Sequence, residues 1–276
     1  MGRTTIRDLE RKYRDDEPLT MLTAYDAPIG KLVDEGGVDM ILVGDSAGHN
    51  HMGYEDTIPV TMDEQLSNTA SVVRGTEDAM IVGDMPFGSY GASVEESVEN
   101  ASRFLQEAGA DAVKLETAPA GETTIEIVDR LTELGIPVQG HLGLTPQRMN
   151  ELGGAVIQGR EGPDSAFADE LVDTAERLEE AGIFSLVLEG VTEAVAKRIT
   201  EAVDVPTIGI GAGRYVDGQV LVITDVLGLG GEGYSLSKQY ADLDSVIREA
   251  VESYVADVES GTFPTSENAY EPIDAE

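Results

Sequence analysis

Met40-Ile-Leu-Val-Gly-Asp45, Met80-Ile-Val-Gly-Asp84, Ala112-Val-Lys-Leu-Glu116 and Ser185-Leu-Val-Leu-Glu189 share one pattern: a short apolar run that ends on a carboxylate. Runs of this length, rich in Val, Ile and Leu, read as strands buried on both faces of a parallel sheet. Acidic side chains are depleted from strands and are seldom buried without a partner or a bound cation. One at the same end of four successive strands predicts a cluster of acids at one end of a barrel or sheet. In parallel α/β proteins that end is where active sites are built.

Outward from these four runs, the same reading gives four more strands: Leu19 to Ala24, Pro137 to His141, Pro206 to Ile210 and Val220 to Thr224. Between most of them, apolar residues recur at three- and four-residue spacing, as in Thr61 to Arg74, Ser93 to Ala108 and Ala166 to Ala181. Glycines at the helix-to-strand joints, in Glu107-Ala-Gly109 and Glu180-Ala-Gly182, suit left-handed helix ends. Thr61 with Glu64 and Ser93 with Glu96 fit a capping box. Eight strands alternating with helices predict an α/β fold of the (β/α)8 TIM-barrel type, with a doubly wound open sheet as the alternative. The weak link is the seventh-to-eighth connection, which has room only for a turn. Thr5 to Arg14 reads as an extra N-terminal helix closing the barrel's bottom. Residues 1–258 are expected to form one barrel domain, and 259–276 an acidic, loosely ordered tail.

The chain has 276 residues, enough for a large core without staples, and no cysteine, which excludes disulfides and thiolate chemistry. No apolar run approaches a membrane span and the N-terminus is no signal peptide, so a soluble, cytoplasmic protein is expected. Asp and Glu number 53 against 18 Lys and Arg, a net charge of −35. Such a surface repels nucleic acid and anionic membranes and argues against both as partners. The acids are spread along helices, as in Ser93-Val-Glu-Glu-Ser-Val-Glu99, which fits a surface adapted to concentrated salt better than a cation store.

Carboxylates from adjacent strands, Asp45, Asp84 and Glu116, offer oxygen ligands only, which suits Mg2+ and disfavours Zn2+. Each acid alone could simply cap the next helix. Lys114 shares a strand face with Glu116 and needs a partner there. It could hold a substrate carboxylate, stabilise an oxyanion, pair with Asp84 or Glu116, or form a Schiff base. His141, at the end of its strand, is placed to hydrogen-bond a substrate. The glycines before Asp45 and Asp84 leave room for a ligand or a neighbouring backbone. Gly209-Ile-Gly-Ala-Gly213 lacks both a P-loop lysine and the dinucleotide spacing, and reads as a tight strand exit against which a ligand can sit.

Taken in order, Thr23-Ala-Tyr-Asp26, Leu42-Val-Gly-Asp-Ser46, Asp84-Met-Pro-Phe87, Val113-Lys-Leu-Glu116, Gly140-His-Leu-Gly-Leu-Thr-Pro-Gln147 and Leu186-Val-Leu-Glu189 resemble the ketopantoate hydroxymethyltransferase family. With the salt-adapted charge, the resemblance implies a halophilic archaeal member. It implies a barrel that moves a hydroxymethyl group from 5,10-methylenetetrahydrofolate, or a related pterin, to 3-methyl-2-oxobutanoate. The product is 2-dehydropantoate, on the route to pantothenate and coenzyme A. By motif it implies one Mg2+ per subunit on Asp45, Asp84 and Glu116. Asp45, Ser46, Asp84, Lys114 and His141 fall at the substrate, and Glu189 is the proton acceptor. A large homo-oligomer is also implied. An oxo acid chelating Mg2+ has an acidified C3–H, so a buried Glu189 of raised pKa suits the base, with Mg2+ and Lys114 stabilising the enolate. The rival is a Mg2+ barrel of the phosphoenolpyruvate mutase and isocitrate lyase type, whose usual loop cysteine this chain lacks.

Overall fold

The apolar runs pair in sequence order as eight parallel strands: β1 (Leu19–Thr23), β2 (Met40–Val43), β3 (Met80–Asp84), β4 (Ala112–Glu116), β5 (Val138–Gly143), β6 (Ser185–Glu189), β7 (Thr207–Ile210) and β8 (Gly218–Leu221). Each pairs with the next, and β8 closes on β1, so the sheet is a closed barrel and not an open one. This computed structural model describes residues 2–230 and 236–270. The chain divides into two compact units, Met1–Ile223 and Thr224–Glu276.

The first unit holds the barrel and helices α1 (Ile6–Arg14), α2 (Ala27–Glu35), α3 (Ala47–Asn50), α4 (Met62–Gly75), α5 (Val94–Arg103), α6 (Glu122–Glu133), α7 (Met149–Leu152), α8 (Ala166–Glu180) and α9 (Glu193–Ala202). α10 (Ile223–Leu227) spans the division, and α11 (Leu243–Ser260) belongs to the second unit. Strands β2 to β5 are buried at every position, as the unbroken apolar runs require. On α1, Leu9 is buried with Leu19, Met21, Met40, Met80 and Val220, so the extra helix seats an apolar side chain in the cluster that fills the barrel's lower interior. A larger cluster, with Phe104, Leu131, Leu142 and Leu178, packs helices against the barrel's outside.

Local signals hold where the chemistry is local. Thr61 and Glu64 form both bonds of the capping box, whereas Ser93 accepts from Glu96 N–H without a return bond. Gly109 and Gly182 adopt φ of 76° and 93°. Three differences are instructive. The helix expected over Ser93 to Ala108 ends in a wider π turn at Phe104–Ala108. β8 lies earlier than the apolar run Val220 to Thr224 suggests. Its pairing of Gly218 with Leu19 needs a glycine, since a Cβ there would stand 2.5 Å from the Leu19 carbonyl oxygen. Ile223 N–H then turns to Thr23 Oγ1 and starts α10. Helix α11 runs on to Ser260, two residues into the segment read as tail. Of the tail segment, residues 271–276 lie outside the described residues.

Where a surface acid meets a base, the two often lie one helical turn apart, as in Arg14–Glu10 and Arg148–Glu151, pairs worth little each. With 53 acids against 18 bases, most remain unpaired. At molar salt the Debye length is about 3 Å, against about 10 Å at 0.1 M, so dilution restores long-range self-repulsion. The melting temperature in 0.1 M salt is expected to lie on the order of 10 °C below that in molar salt. Melts that coincide in the two buffers would contradict it.

Candidate active site

The four acid-terminated strands deliver their carboxylates to one end of the barrel. Register does the rest: Asp84 on β3 lies beside Lys114 on β4, and Glu116 beside His141 on β5. Asp45, Asp84, Lys114, Glu116 and His141 are each at most 5% exposed. Together with Ser46 and Glu189 they line a cavity of about 100 Å3. A larger groove of about 740 Å3, with Phe87, Tyr90 and Pro119 on its walls, shares Glu116 with that cavity and reaches Gln147.

Three acids face one base. Lys114 Nζ stands 2.8 Å from Asp84 Oδ1, yet that oxygen has no well-directed hydrogen bond among the described residues. Asp84 Oδ2 accepts the Asp45 N–H at 3.1 Å. Burial pushes the Asp45 carboxyl up to about 8, with the Asp84 charge adding to it. Burial also raises Asp84, and it raises Glu116 well above the carboxylate range. Burial opposes the charge on Lys114, but Asp84, Glu116 and Asp45 outweigh it and raise its pKa. Fully ionised, the three acids would carry more negative charge than one ammonium can balance, so burial keeps protons on them in the absence of a cation.

His141 is fully committed within the protein. Its Nε2 lies 2.9 Å from the Leu144 carbonyl, which can only accept, so Nε2 carries the proton. Nδ1 then presents its lone pair to Lys114 Nζ at 3.2 Å. Burial and the Lys114 charge hold the imidazole well below its usual pKa, hence neutral. Glu189 stands apart: the neutral His141 has its Nε2 3.7 Å away, beyond a hydrogen bond. Burial lifts its carboxyl to about 7, although 27% of the side chain opens to the mouth. Ser46 is held by Tyr25, whose hydroxyl lies 2.9 Å from Ser46 Oγ and accepts from Thr23 Oγ1.

Two glycine readings are corrected. A Cβ on Gly83 would meet the Phe104 ring at 2.4 Å, and one on Gly44 the Ser46 hydroxyl at 2.7 Å. Both glycines make room for the protein's own side chains, not for a ligand or a backbone. In Gly209 to Gly213, a Cβ on Gly209 would meet Val216 and one on Gly213 would meet Glu193, while Ile210 lines the cavity. Gln147, to which sequence reasoning gave no role, stands in the middle of the cluster. Its Nε2 donates to Asp45 Oδ2 and the Met85 carbonyl, both at 2.9 Å, and its backbone N–H donates to Glu116 Oε2 at 3.1 Å. Its only signal was its place in a Thr-Pro-Gln turn after β5.

The donor set fits a hard divalent cation: oxygen atoms only, three carboxyls against one ammonium, and a buried Asp84 oxygen with no directed hydrogen bond among the described residues. Among the described residues, no three such side chains form a ready-made cage. Mg2+ bound there would keep several waters and take few of these carboxylates directly.

Fold and site together define a (β/α)8-barrel protein with a buried acid–lysine cluster at the strand ends. Comparison with known proteins narrows the class. The profile described as ketopantoate hydroxymethyltransferase matches residues 3–266. A protein of Halobacterium salinarum named 3-methyl-2-oxobutanoate hydroxymethyltransferase is 51% identical over 269 residues, covering 96% of each chain. One of the same name from Ignicoccus hospitalis is 52% identical over 264 residues, covering 96% of this chain and 98% of its own. The chain belongs to the ketopantoate hydroxymethyltransferase family. In fold alone it is also similar to phosphonopyruvate hydrolase, with a TM-score of 0.62 at 12% identity over 99% of this chain and 92% of that one. No helix among the described residues is long and apolar enough to cross a membrane.

Proposed function

We propose that the chain transfers a hydroxymethyl group from 5,10-methylenetetrahydrofolate, or a related pterin, to 3-methyl-2-oxobutanoate, forming 2-dehydropantoate for pantothenate and coenzyme A synthesis. The observation that carries this reading is the separation of roles among the buried acids. Asp45, Asp84 and Glu116 crowd around Lys114, while Glu189 stands unclamped with its carboxyl at about 7. The first set suits a cation and the last a base, and relatives that are half identical in sequence bear the matching name.

Asp45, Asp84 and Glu116 would hold Mg2+, directly or through the waters it keeps. Bound there, Mg2+ supplies a Lewis acid that polarises the 2-oxo group and orients the acid. Ser46, with its hydroxyl steered by Tyr25, offers a hydrogen bond to the substrate carboxylate. Glu189 takes the C3 proton, a task to which a carboxyl near 7 is better matched than one in the ordinary range. Lys114 faces the enolate oxygen as a fixed positive charge. His141 keeps that ammonium aimed by accepting one of its protons at Nδ1.

The small cavity suits a short branched oxo acid, and the 740 Å3 groove that meets it at Glu116 is of a size for the pterin donor. We read the protein as a cytoplasmic homo-oligomer. The exposed apolar side chains of Val246, Val251 and Tyr254 on α11 are a surface that assembly could cover. Deuterium exchange at C3 of 3-methyl-2-oxobutanoate, with Mg2+ and no folate, in molar salt, tests the mechanism. Exchange well above the protein-free rate is the expected result. Exchange at the protein-free rate would sink the enolate route.

A further inference from the structure

Gln147 is 5% exposed and lies in the turn that follows β5. Every polar group in its side chain is spent. The Met85 carbonyl and the Asp45 carboxylate oxygen both need donors, so the atom facing them at 2.9 Å is the amide nitrogen, with one proton for each. The amide oxygen faces the Tyr90 hydroxyl at 2.8 Å. Tyr90 in turn accepts the Glu116 backbone N–H at 3.1 Å. The Gln147 backbone N–H donates to the Glu116 carboxylate, so the ring closes from Glu116 main chain through Tyr90 and Gln147 to Glu116 side chain.

The turn that carries Gln147 is itself folded back at its start. Leu144 N–H donates to the Glu189 carbonyl at 2.7 Å, and the Leu144 carbonyl accepts from His141. One residue thus ties the end of β2, the loop after β3 and the end of β4 to the turn after β5. It does so through the carboxylates of two of the three acids.

From this geometry we infer that Gln147 is a positioning residue for the acid cluster. It fixes the rotamers of Asp45 and Glu116 before a cation arrives, and Tyr90 fixes the Gln147 amide. The inference rests on the reading of Asp45, Asp84 and Glu116 as the cation site. Partners that orient ligating carboxylates are typically worth 10–100-fold in metal affinity. Gln147 acts on the ligands and not on the reacting atoms, so its effect belongs in cation binding by the substrate-free protein.

The test is Mn2+ affinity of the full chain without substrate, by electron paramagnetic resonance in molar salt, with melting curves alongside. Gln147→Met keeps the length and removes the side chain's donors and acceptor. It is expected to weaken Mn2+ binding about 10–100-fold. Tyr90→Phe leaves Gln147 in place but frees its carbonyl, and should weaken binding in the same direction by less. Should Gln147→Met fail to fold, Tyr90→Phe carries the test. In the double variant with Asp45→Asn, Gln147→Met should add little to the loss from Asp45→Asn alone, because the two share one interaction. Unchanged affinity in both single variants, or losses that multiply in full in the double variant, would overturn the inference. A wild-type chain without Mn2+ affinity would overturn the cation site itself.

Discussion

Glu189→Gln is expected to lower C3 deuterium exchange on 3-methyl-2-oxobutanoate by about 10^2 to 10^4-fold, the range of a positioned general base. The amide keeps the size of the side chain and its place at the end of β6, and it removes the lone pair that takes the proton. Binding of the oxo acid should change little, because the acid cluster and Lys114 are untouched. The wild-type rate should also follow the state of this one carboxyl. Burial lifts it to about 7, so exchange should climb as pH rises through 7 and then level off. In the variant that step should vanish. Proton NMR in deuterated buffer reads both effects. A variant that exchanged at the full rate would remove Glu189 as the base and leave the rest of the site standing.

Lys114→Met, in the metal-free protein, is expected to show the second largest effect. The ammonium stands against Asp84 at 2.8 Å where both side chains are at most 4% exposed. Removing one member of a buried pair typically costs about 3–5 kcal/mol, because the other charge is left without a partner. For a domain of this size that is a fall in melting temperature on the order of 10 °C. The fall should depend on pH in a definite sense. Burial raises the folded-state pKa values of Asp45 and Asp84 over those of the unfolded chain. Each therefore favours the folded state while protonated, and loses that advantage as pH rises through its folded value, which is about 8 for Asp45. Without the lysine those values rise further. The deficit of the variant should be small near pH 5, where the acids can stay protonated, and large near pH 8. A deficit independent of pH would mean that the methylene stem of Lys114 matters and its charge does not.

The parts of this protein that could be read from its sequence are those in which a residue reports on its own neighbourhood. Val, Ile and Leu in short unbroken runs marked strands covered on both sides, and the carboxylate after each run marked the same end of each strand. Because a (β/α)8 barrel pairs its strands in chain order, placing the runs also placed Asp45, Asp84, Glu116 and Glu189 at one mouth. What could not be read depends on distant pairs. Gln147 and Asp45 are 102 residues apart, and nothing in either local pattern announces their bond. The glycines before Asp45 and Asp84 showed that something comes close. That the close neighbours are Ser46 and the Phe104 ring emerges only once helix and strand are packed. The eighth strand was displaced because apolar character is shared by strand and helix, and Ile223 serves the start of α10.

The tautomer of His141 has a consequence for the kind of carbon–carbon bond formation open to this barrel. An imidazole with its lone pair turned toward Lys114 holds a proton on that lysine, and three carboxylates press for the same state. A lysine so held has no free electron pair to offer a ketone. On the proposed function, an imine link between enzyme and substrate, the device by which many lysine-bearing barrels turn a ketone into a carbon nucleophile, is disfavoured. On that reading the substrate is gripped at its oxygens and not at its carbon. Each turnover then leaves the enzyme without an adduct to hydrolyse, and release of product needs only the exchange of oxygen contacts for water.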